Sequence, residues 1–391
     1  MKPIIVSGAV ANRHDRAGAI WTRLSYALGL RRLGFQVYFV EEIDEAHCVD
    51  AAGRPAQFED SANAATFRRV MDVFGFGQAS ALLCGPGERS AGLPYARVLE
   101  IAQEAECLIN ISGHLRLAPL LDRFRCKVFI DQDPGFTQHW LAAPGSTFRL
   151  PEHDAYFTIG ENIGHPECGI PADGIDWRPT RQPVVLEEWP VIDSTAPERF
   201  TTIGSWRGPY GVVERGGRTL GLKVHEFRKF VELPQRCGGS FELALDIHPA
   251  DGKDLELLRR HGWAVVDPKA AAGDPERFRR YIQGSSAEFS VAQGIYVETN
   301  SGWFSDRTAR YLASGKPALV QDTGFSRVLP VGEGLLAFTT LDEAVAGVDA
   351  IRRDYARHSR AARAIAEDYF DSDTVLSRLL DEISITVRAT S

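Results

Sequence analysis

Two stretches of this sequence join side chains that move protons to side chains that hold anions. The first is Asn12-Arg13-His14-Asp15-Arg16. An imidazole titrates near neutrality, so His14 is suited to take a proton from a hydroxyl, and Asp15 can orient the ring or act as the base itself. The second is Ser305-Asp306-Arg307-Thr308. Ser305 and Asp306 form a good helix N-cap pair, and the free N–H groups of the first turn, with the helix dipole, make a seat for phosphate groups. Arg307 adds charge-assisted hydrogen bonds to phosphate oxygens. Asp131 and Asp133 close an apolar run at Asp131-Gln132-Asp133-Pro134-Gly135, a further pair of candidate carboxylates. His165, Glu167 and Cys168 stand close together, but this is an incomplete ligand set for a metal, and a structured loop is the expectation there.

The elements that must carry these residues alternate. Residues 3–7 are a continuous apolar run, which suits a strand buried in a parallel sheet. Beyond the polar loop and Gly18, Ile20, Leu24, Leu28 and Leu33 keep helical spacing and Gly34 ends the helix. Val37-Tyr38-Phe39-Val40 is a second buried strand, which completes a βαβ unit. Helices are expected near 61–74, 95–104 and 116–123, with strands at 107–111 and 127–130. In such open sheets ligands bind at the carboxyl ends of the strands, so a cleft is expected along residues 8–18, 112–114 and 131–137. A proline-rich stretch at 178–198 reads as an ordered linker between a domain of residues 1–177 and one of residues 199–391. After it the alternation resumes: strands at 200–203, 241–245, 263–266, 287–291 and 318–320, helices near 222–232, 253–260, 275–283 and 306–314, and a helical tail from Asp342.

At 391 residues the chain exceeds what one core normally supports, in keeping with two domains. A net charge of −8 without a basic stripe argues against a nucleic-acid partner. The six cysteines form no CxxC pair, and no stretch approaches the roughly 20 apolar residues that span a bilayer. Met-Lys-Pro-Ile-Ile-Val-Ser-Gly reads as a strand rather than a signal peptide, so a cytoplasmic location is expected.

The segment Ser301–Gly324, with its helix entry at Ser305-Asp306 and its Ser314-Gly315-Lys316-Pro317 turn, resembles the donor-binding half of GT-B glycosyltransferases, in particular their group 1 C-terminal domain; Leu329–Gly334 and the helical tail do so too. The resemblance covers roughly residues 200–380 in detail and the first domain by layout. It implies an α/β fold of two facing Rossmann-like αβα domains with a cleft between them, and sugar transfer from a nucleoside diphosphate donor to a hydroxyl of a small-molecule or glycan acceptor, with no cofactor and no metal. Ser305, Asp306, Arg307 and Thr308 would then seat the donor's diphosphate, helped by Lys223, which follows Gly221-Leu222, and by Arg207. Gln321 and Asp322 would meet sugar hydroxyls, His114 would lie against the donor sugar, and Gly18 would line the donor side of the first helix. Where many retaining members carry two glutamates eight residues apart, this sequence has Gly302 and Arg310. That departure favours inversion, with the base on the loop of His14 and Asp15, and Asp131 and Asp133 next in line.

Three other readings compete. A nicotinamide-dependent oxidoreductase would use Glu41 or Glu42 on a ribose, but the glycines after the first strand are Gly8 and Gly18, with no GxGxxG. A non-catalytic nucleotide- or saccharide-binding protein, or a UDP-sugar epimerase of the same layout, would differ in turnover: none for the first, an isomerised donor without acceptor for the second.

Overall fold

The computed structural model describes residues 2–85, 89–143, 150, 152–192, 199–215 and 217–385. The strands are β1 (Ile4–Ser7), β2 (Val37–Ile43), β3 (Ser80–Cys84), β4 (Arg89–Gly92), β5 (Cys107–Ile111), β6 (Lys127–Asp131), β7 (Ala155–Thr158), β8 (Trp177–Pro179), β9 (Arg199–Ser205), β10 (Val213–Arg215), β11 (Arg218–Leu220), β12 (Ser240–Asp246), β13 (Trp263–Val266), β14 (Ala287–Ser290), β15 (Ala318–Gln321) and β16 (Leu335–Phe338). The first domain is an eight-stranded sheet in the order β4-β3-β2-β1-β5-β6-β7-β8, and the second a six-stranded sheet in the order β13-β12-β9-β14-β15-β16. All pairings are parallel except β3 with β4 and the separate hairpin β10-β11. Both sheets are therefore α/β layers with their carboxyl edges turned to one cleft, as the alternation predicted.

β3 and β7 were not expected from the sequence. Both are short, four or five residues, and both are almost wholly buried, so they carry neither period-2 alternation nor length to distinguish them from helix. The helix expected over 222–232 is two pieces, Lys223–Arg228 and Leu233–Cys237, with Pro234 at the start of the second.

The expected linker is only partly a linker. Its first residues extend β8, and Val184, Val185 and Trp189 are buried; residues 193–198 lie outside the described residues. Val184 bridges to Asp371, which brings the helix Ser372–Glu382 back across the first domain. There Gly29 of the helix Ala17–Arg32 leaves room for it, since a Cβ at Gly29 would lie 2.9 Å from Cβ of Ser372. One hydrophobic core runs through both domains: Trp21, Trp189, Phe278, Leu312 and Leu376 all belong to it. Trp21 is 1% exposed, packs edge-on to Trp189 at 5.0 Å, and donates its Nε1–H to the carbonyl of Pro275 at 2.8 Å. Among the described residues no helix is long and apolar enough to cross a membrane.

Candidate active site

The cleft between the two carboxyl edges has a volume of about 580 Å³. Its first-domain wall starts at the loop after β1. Glu41, wholly buried on β2, accepts the N–H groups of Val10 at 2.9 Å, Ala11 at 2.8 Å and Asn12 at 2.8 Å, and the Asn12 amide at 2.9 Å. The backbone donors that would otherwise cradle a phosphate here are thus taken by an internal carboxylate. Glu42 does the same for the next loop, accepting from the N–H groups of Arg116 at 2.7 Å and Leu117 at 3.0 Å. Burial raises the proton affinity of both carboxyls, opposed by these bonds. Neither glutamate is available to a ribose, and this removes the structural basis of the nicotinamide reading.

The loop so held presents Arg13, Asp15 and Arg16 to the cleft, followed by Gly18 on the first helix. His14 is not on the cleft wall; its Nδ1 sits 3.3 Å from the amide nitrogen of Asn63. Arg23, one turn further along the helix, is 8% exposed and lies across the end of β1, where a Cβ at Gly8 would meet its Cγ at 2.6 Å. Its side chain lines the cleft; its Nη1 donates to the Ala19 carbonyl at 3.3 Å, and its Nε has no hydrogen-bond partner among the described residues.

At the end of β6 the two carboxylates part company. Asp131 is buried behind the wall and saturated: it accepts from Thr137 Oγ1 at 2.8 Å, Gln138 Nε2 at 2.8 Å, Thr158 Oγ1 at 2.9 Å and the Asp133 N–H at 3.2 Å. Asp133 lines the cleft and accepts from the hydroxyl of Tyr210, on the second domain, at 3.1 Å. Burial first, and then the neighbouring Asp131 charge, push the Asp133 carboxyl up to about 6, against the pull of Arg23. His114 is not on the cleft wall; burial, reinforced by Arg23, Arg13 and Arg116, drives it down to about 3, so it is neutral at physiological pH.

The second-domain wall sets two cations, Lys223 and Arg307, side by side. The Lys223 ammonium makes no hydrogen bond or ion pair among the described residues, and burial, with Arg307 adding its charge, lowers it to about 7. Arg307 is committed on three sides: to Glu288 Oε1 at 2.6 Å, to the carbonyl of Ile203 at 2.6 Å and to Ser290 Oγ at 2.7 Å. Glu288 thus serves to fix a cation. A Cβ at Gly204 would lie 3.3 Å from Lys223 Nζ and 4.0 Å from Arg307, so only glycine leaves the approach to both cations open. Gln293, 6% exposed on the same wall, has an Oε1 without a partner among the described residues.

The remaining candidates have structural partners. Ser305 caps the helix Asp306–Ala313 at the cleft, accepting from the Arg307 N–H at 3.3 Å. Asp306 accepts from Thr22 Oγ1 of the first domain at 2.7 Å and from Arg310 at 2.6 Å; burial works against its ionisation, but Arg310 and Thr22 hold its carboxyl below the usual range. Thr308 is fully buried, and Arg207 does not line the cleft but is held in an ion pair with Asp251 at 2.5 Å. Gln321 spans the Ala292 N–H at 3.1 Å and Glu226 at 2.7 Å, and Asp322 accepts from the Gly324 N–H at 2.8 Å and from Ser326 Oγ at 2.5 Å, so both shape the loop and neither lines the cleft. His165 and Glu167 both engage Arg327. Gly302 and Arg310, at the places of the family's glutamate pair, are interdomain parts: a Cβ at Gly302 would lie 2.8 Å from the Asn162 backbone nitrogen, and Arg310, 1% exposed, reaches towards Ser25 and over Trp189. Arg23, Gly204, Tyr210 and Gln293 had no signal in the sequence, since helix spacing and loop composition do not say which side chain faces a cleft.

No protein-family model matches the chain. No curated protein sequence matches it either. Solved structures do match, over nearly the full length. AviGT4, a glycosyltransferase involved in avilamycin A biosynthesis, is 14% identical, with 98% of this chain and 97% of that chain covered and a TM-score of 0.55. HepE of Anabaena in complex with UDP-glucose is 12% identical, with 98% and 99% covered and a TM-score of 0.58. An alpha-glucosyltransferase in complex with UDP is 12% identical, with 98% and 99% covered and a TM-score of 0.60. This chain has the GT-B fold.

Proposed function

We propose that the chain is a glycosyltransferase that moves a sugar from a uridine diphosphate donor to an acceptor hydroxyl, with inversion at the anomeric carbon and without a metal ion. One observation carries the reading: a single cleft sets Lys223, a cation without a hydrogen-bond partner among the described residues, against Asp133, a half-buried carboxylate. Glycosyl transfer needs both, a base for the acceptor proton and positive charge for the departing diphosphate. Lys223, backed by Arg307 and reached past Gly204, supplies the charge that a metal ion would otherwise provide. Asp133 is largely ionised at neutral pH and takes the proton as the acceptor oxygen bonds to the anomeric carbon. The bond from that carbon to the phosphate oxygen breaks, and its electron pair leaves with the diphosphate. Tyr210 steadies the base by a hydrogen bond from the opposite domain. In this reading Asp133 takes the role first expected of His14 or Asp15.

Uridine is favoured because HepE and the alpha-glucosyltransferase were solved with UDP or UDP-glucose. The alpha-glucosyltransferase was also solved with DNA, but a net charge of −8 favours a glycan or small-molecule acceptor for this chain. Six free cysteines suit a reducing compartment, which supports a cytoplasmic location.

The reading is tested by incubation with UDP-sugars and a panel of hydroxyl acceptors, following UDP release and the anomeric configuration of the product by NMR. A β-linked product from an α-linked donor is expected. Nucleotide binding without any release of UDP would instead make this a non-catalytic binding protein, and an isomerised donor formed without acceptor would make it an epimerase.

A further inference from the structure

The first-domain wall holds more positive charge than the proposed transfer uses. Arg13 and Arg16 on the loop after β1 line the cleft and make no side-chain ion pair or hydrogen bond among the described residues. Arg23 lines it too: its side chain is more than nine-tenths buried, its Nη1 donates to the Ala19 carbonyl at 3.3 Å, and its Nε has no partner among the described residues. A buried guanidinium with an open donor is costly unless a ligand completes it. Three carboxylates, Asp15, Asp133 and Asp306, line the same cleft, but none of them forms an ion pair with Arg13, Arg16 or Arg23 among the described residues. Asp133 is engaged by Tyr210 and its proton affinity is already raised; Asp306 is bound to Thr22 and Arg310; Asp15, like Arg16, is exposed. Glu41 holds the loop backbone so that these arginines, and not the peptide N–H groups, face the cleft. The diphosphate seat at Lys223 and Arg307 is on the opposite wall, so the cleft carries two separate cationic patches.

We propose that the acceptor itself is an anion, carrying a phosphate or a carboxylate that Arg13, Arg16 and Arg23 take while Asp133 faces its reacting hydroxyl. This rests on the glycosyl-transfer reading and names the substrate class for it. A planar guanidinium pairs with either oxyanion through two parallel hydrogen bonds, which fixes the orientation of the acceptor as well as its affinity.

The test uses small oxyanions that carry no sugar scaffold. The protein saturated with UDP, which occupies the Lys223 side, is titrated at constant ionic strength with inorganic phosphate, malonate and chloride, and its melting temperature is followed. Phosphate or malonate is expected to raise it where chloride does not, and the stronger of the two tells a phosphorylated acceptor from a carboxylated one. Arg13→Gln, at a half-buried loop position, and Arg23→Gln should each weaken that oxyanion by at least about tenfold, the scale of one charged hydrogen bond. UDP affinity should stay within about twofold, since the donor seat is on the other wall. Equal effects of all three anions, unchanged oxyanion affinity in Arg13→Gln, or competition of phosphate with UDP would each overturn the proposal. If the wild-type protein binds no nucleoside diphosphate, the transfer reading fails by itself. The same titration without UDP, in Lys223→Met protein, then still decides whether the arginine wall takes an oxyanion.

Discussion

Asp133 and Lys223 differ from other charged residues of the cleft in what their surroundings do to their protons. Asp133 is held at about 6, so kcat/KM should rise with pH along a limb near 6 as the free enzyme's base ionises. Asp133→Asn should lower turnover by roughly a hundredfold to ten-thousandfold while nucleotide affinity, which belongs to the other wall, barely changes. His14→Ala should keep turnover within a few fold, since its imidazole faces Asn63; if His14→Ala and not Asp133→Asn abolishes turnover, the assignment of the base is wrong. Lys223 is held at about 7, well below an ordinary lysine. In the proposed reading it meets diphosphate as the ammonium, so UDP affinity should fall as pH rises above about 7, with proton uptake on binding visible by calorimetry in buffers of different ionisation enthalpy. For stability the sign is the reverse. A lysine depressed in the folded state is a penalty present in full below about 7 and relieved as pH rises towards the ordinary lysine value. Lys223→Met should therefore raise the melting temperature, most clearly below pH 7, while it weakens UDP by about 1.5–3 kcal/mol; a drop in melting temperature together with unchanged UDP affinity would contradict both halves.

At the scale of elements, two glycines separate binding from folding. Gly204, the last residue but one of β9, stands beside the cations with an ordinary backbone conformation, so Gly204→Ala should fold normally yet hinder diphosphate, its methyl lying 3.3 Å from Lys223 Nζ. Gly302 has φ of +73° and its Cβ direction is blocked by the Asn162 backbone, so Gly302→Ala should cost stability, on the order of 1–3 kcal/mol in a denaturant titration. The helix Asp306–Ala313 serves both ends of this division: its capped N-terminus opens on the cleft, while Asp306 and Arg310 pin it to the first domain through Thr22 and Ser25.

Across the whole molecule, the domains are joined by more than a hinge. Trp21, Trp189 and Phe278 form a continuous aromatic seam, Asn162 donates to the carbonyls of Asn300 at 3.0 Å and Gly324 at 3.1 Å, and the C-terminal helix lies on the first domain. With one hydrophobic core shared by both halves, heat should unfold them in one transition. Trp21→Ala should lower the midpoint for both domains together, by a free energy of about 3–5 kcal/mol. Two separate calorimetric transitions, only one of them moved by Trp21→Ala, would show that the seam does not couple the domains.

Local chemistry in the chain determined the parallel α/β layering, because buried strands read as apolar runs and helices as 3.6-residue periods, and both are properties of neighbours in sequence. It also determined where the helix N-cap at Ser305 and the strand-end carboxylates at Asp131 and Asp133 stand. Which carboxylate faces the cleft was decided by the tertiary structure: Thr137, Gln138 and Thr158 surround Asp131, whereas Tyr210, far along the chain, donates to Asp133. The same holds for the cations. Arg207 and Lys223 are equally basic in sequence, but Asp251 neutralises the first, whereas the second, beside Arg307, has no hydrogen bond among the described residues. A side chain's exposure and the partner that consumes its charge are set by residues tens to hundreds of positions away, brought near only when the sheets and the seam between them form.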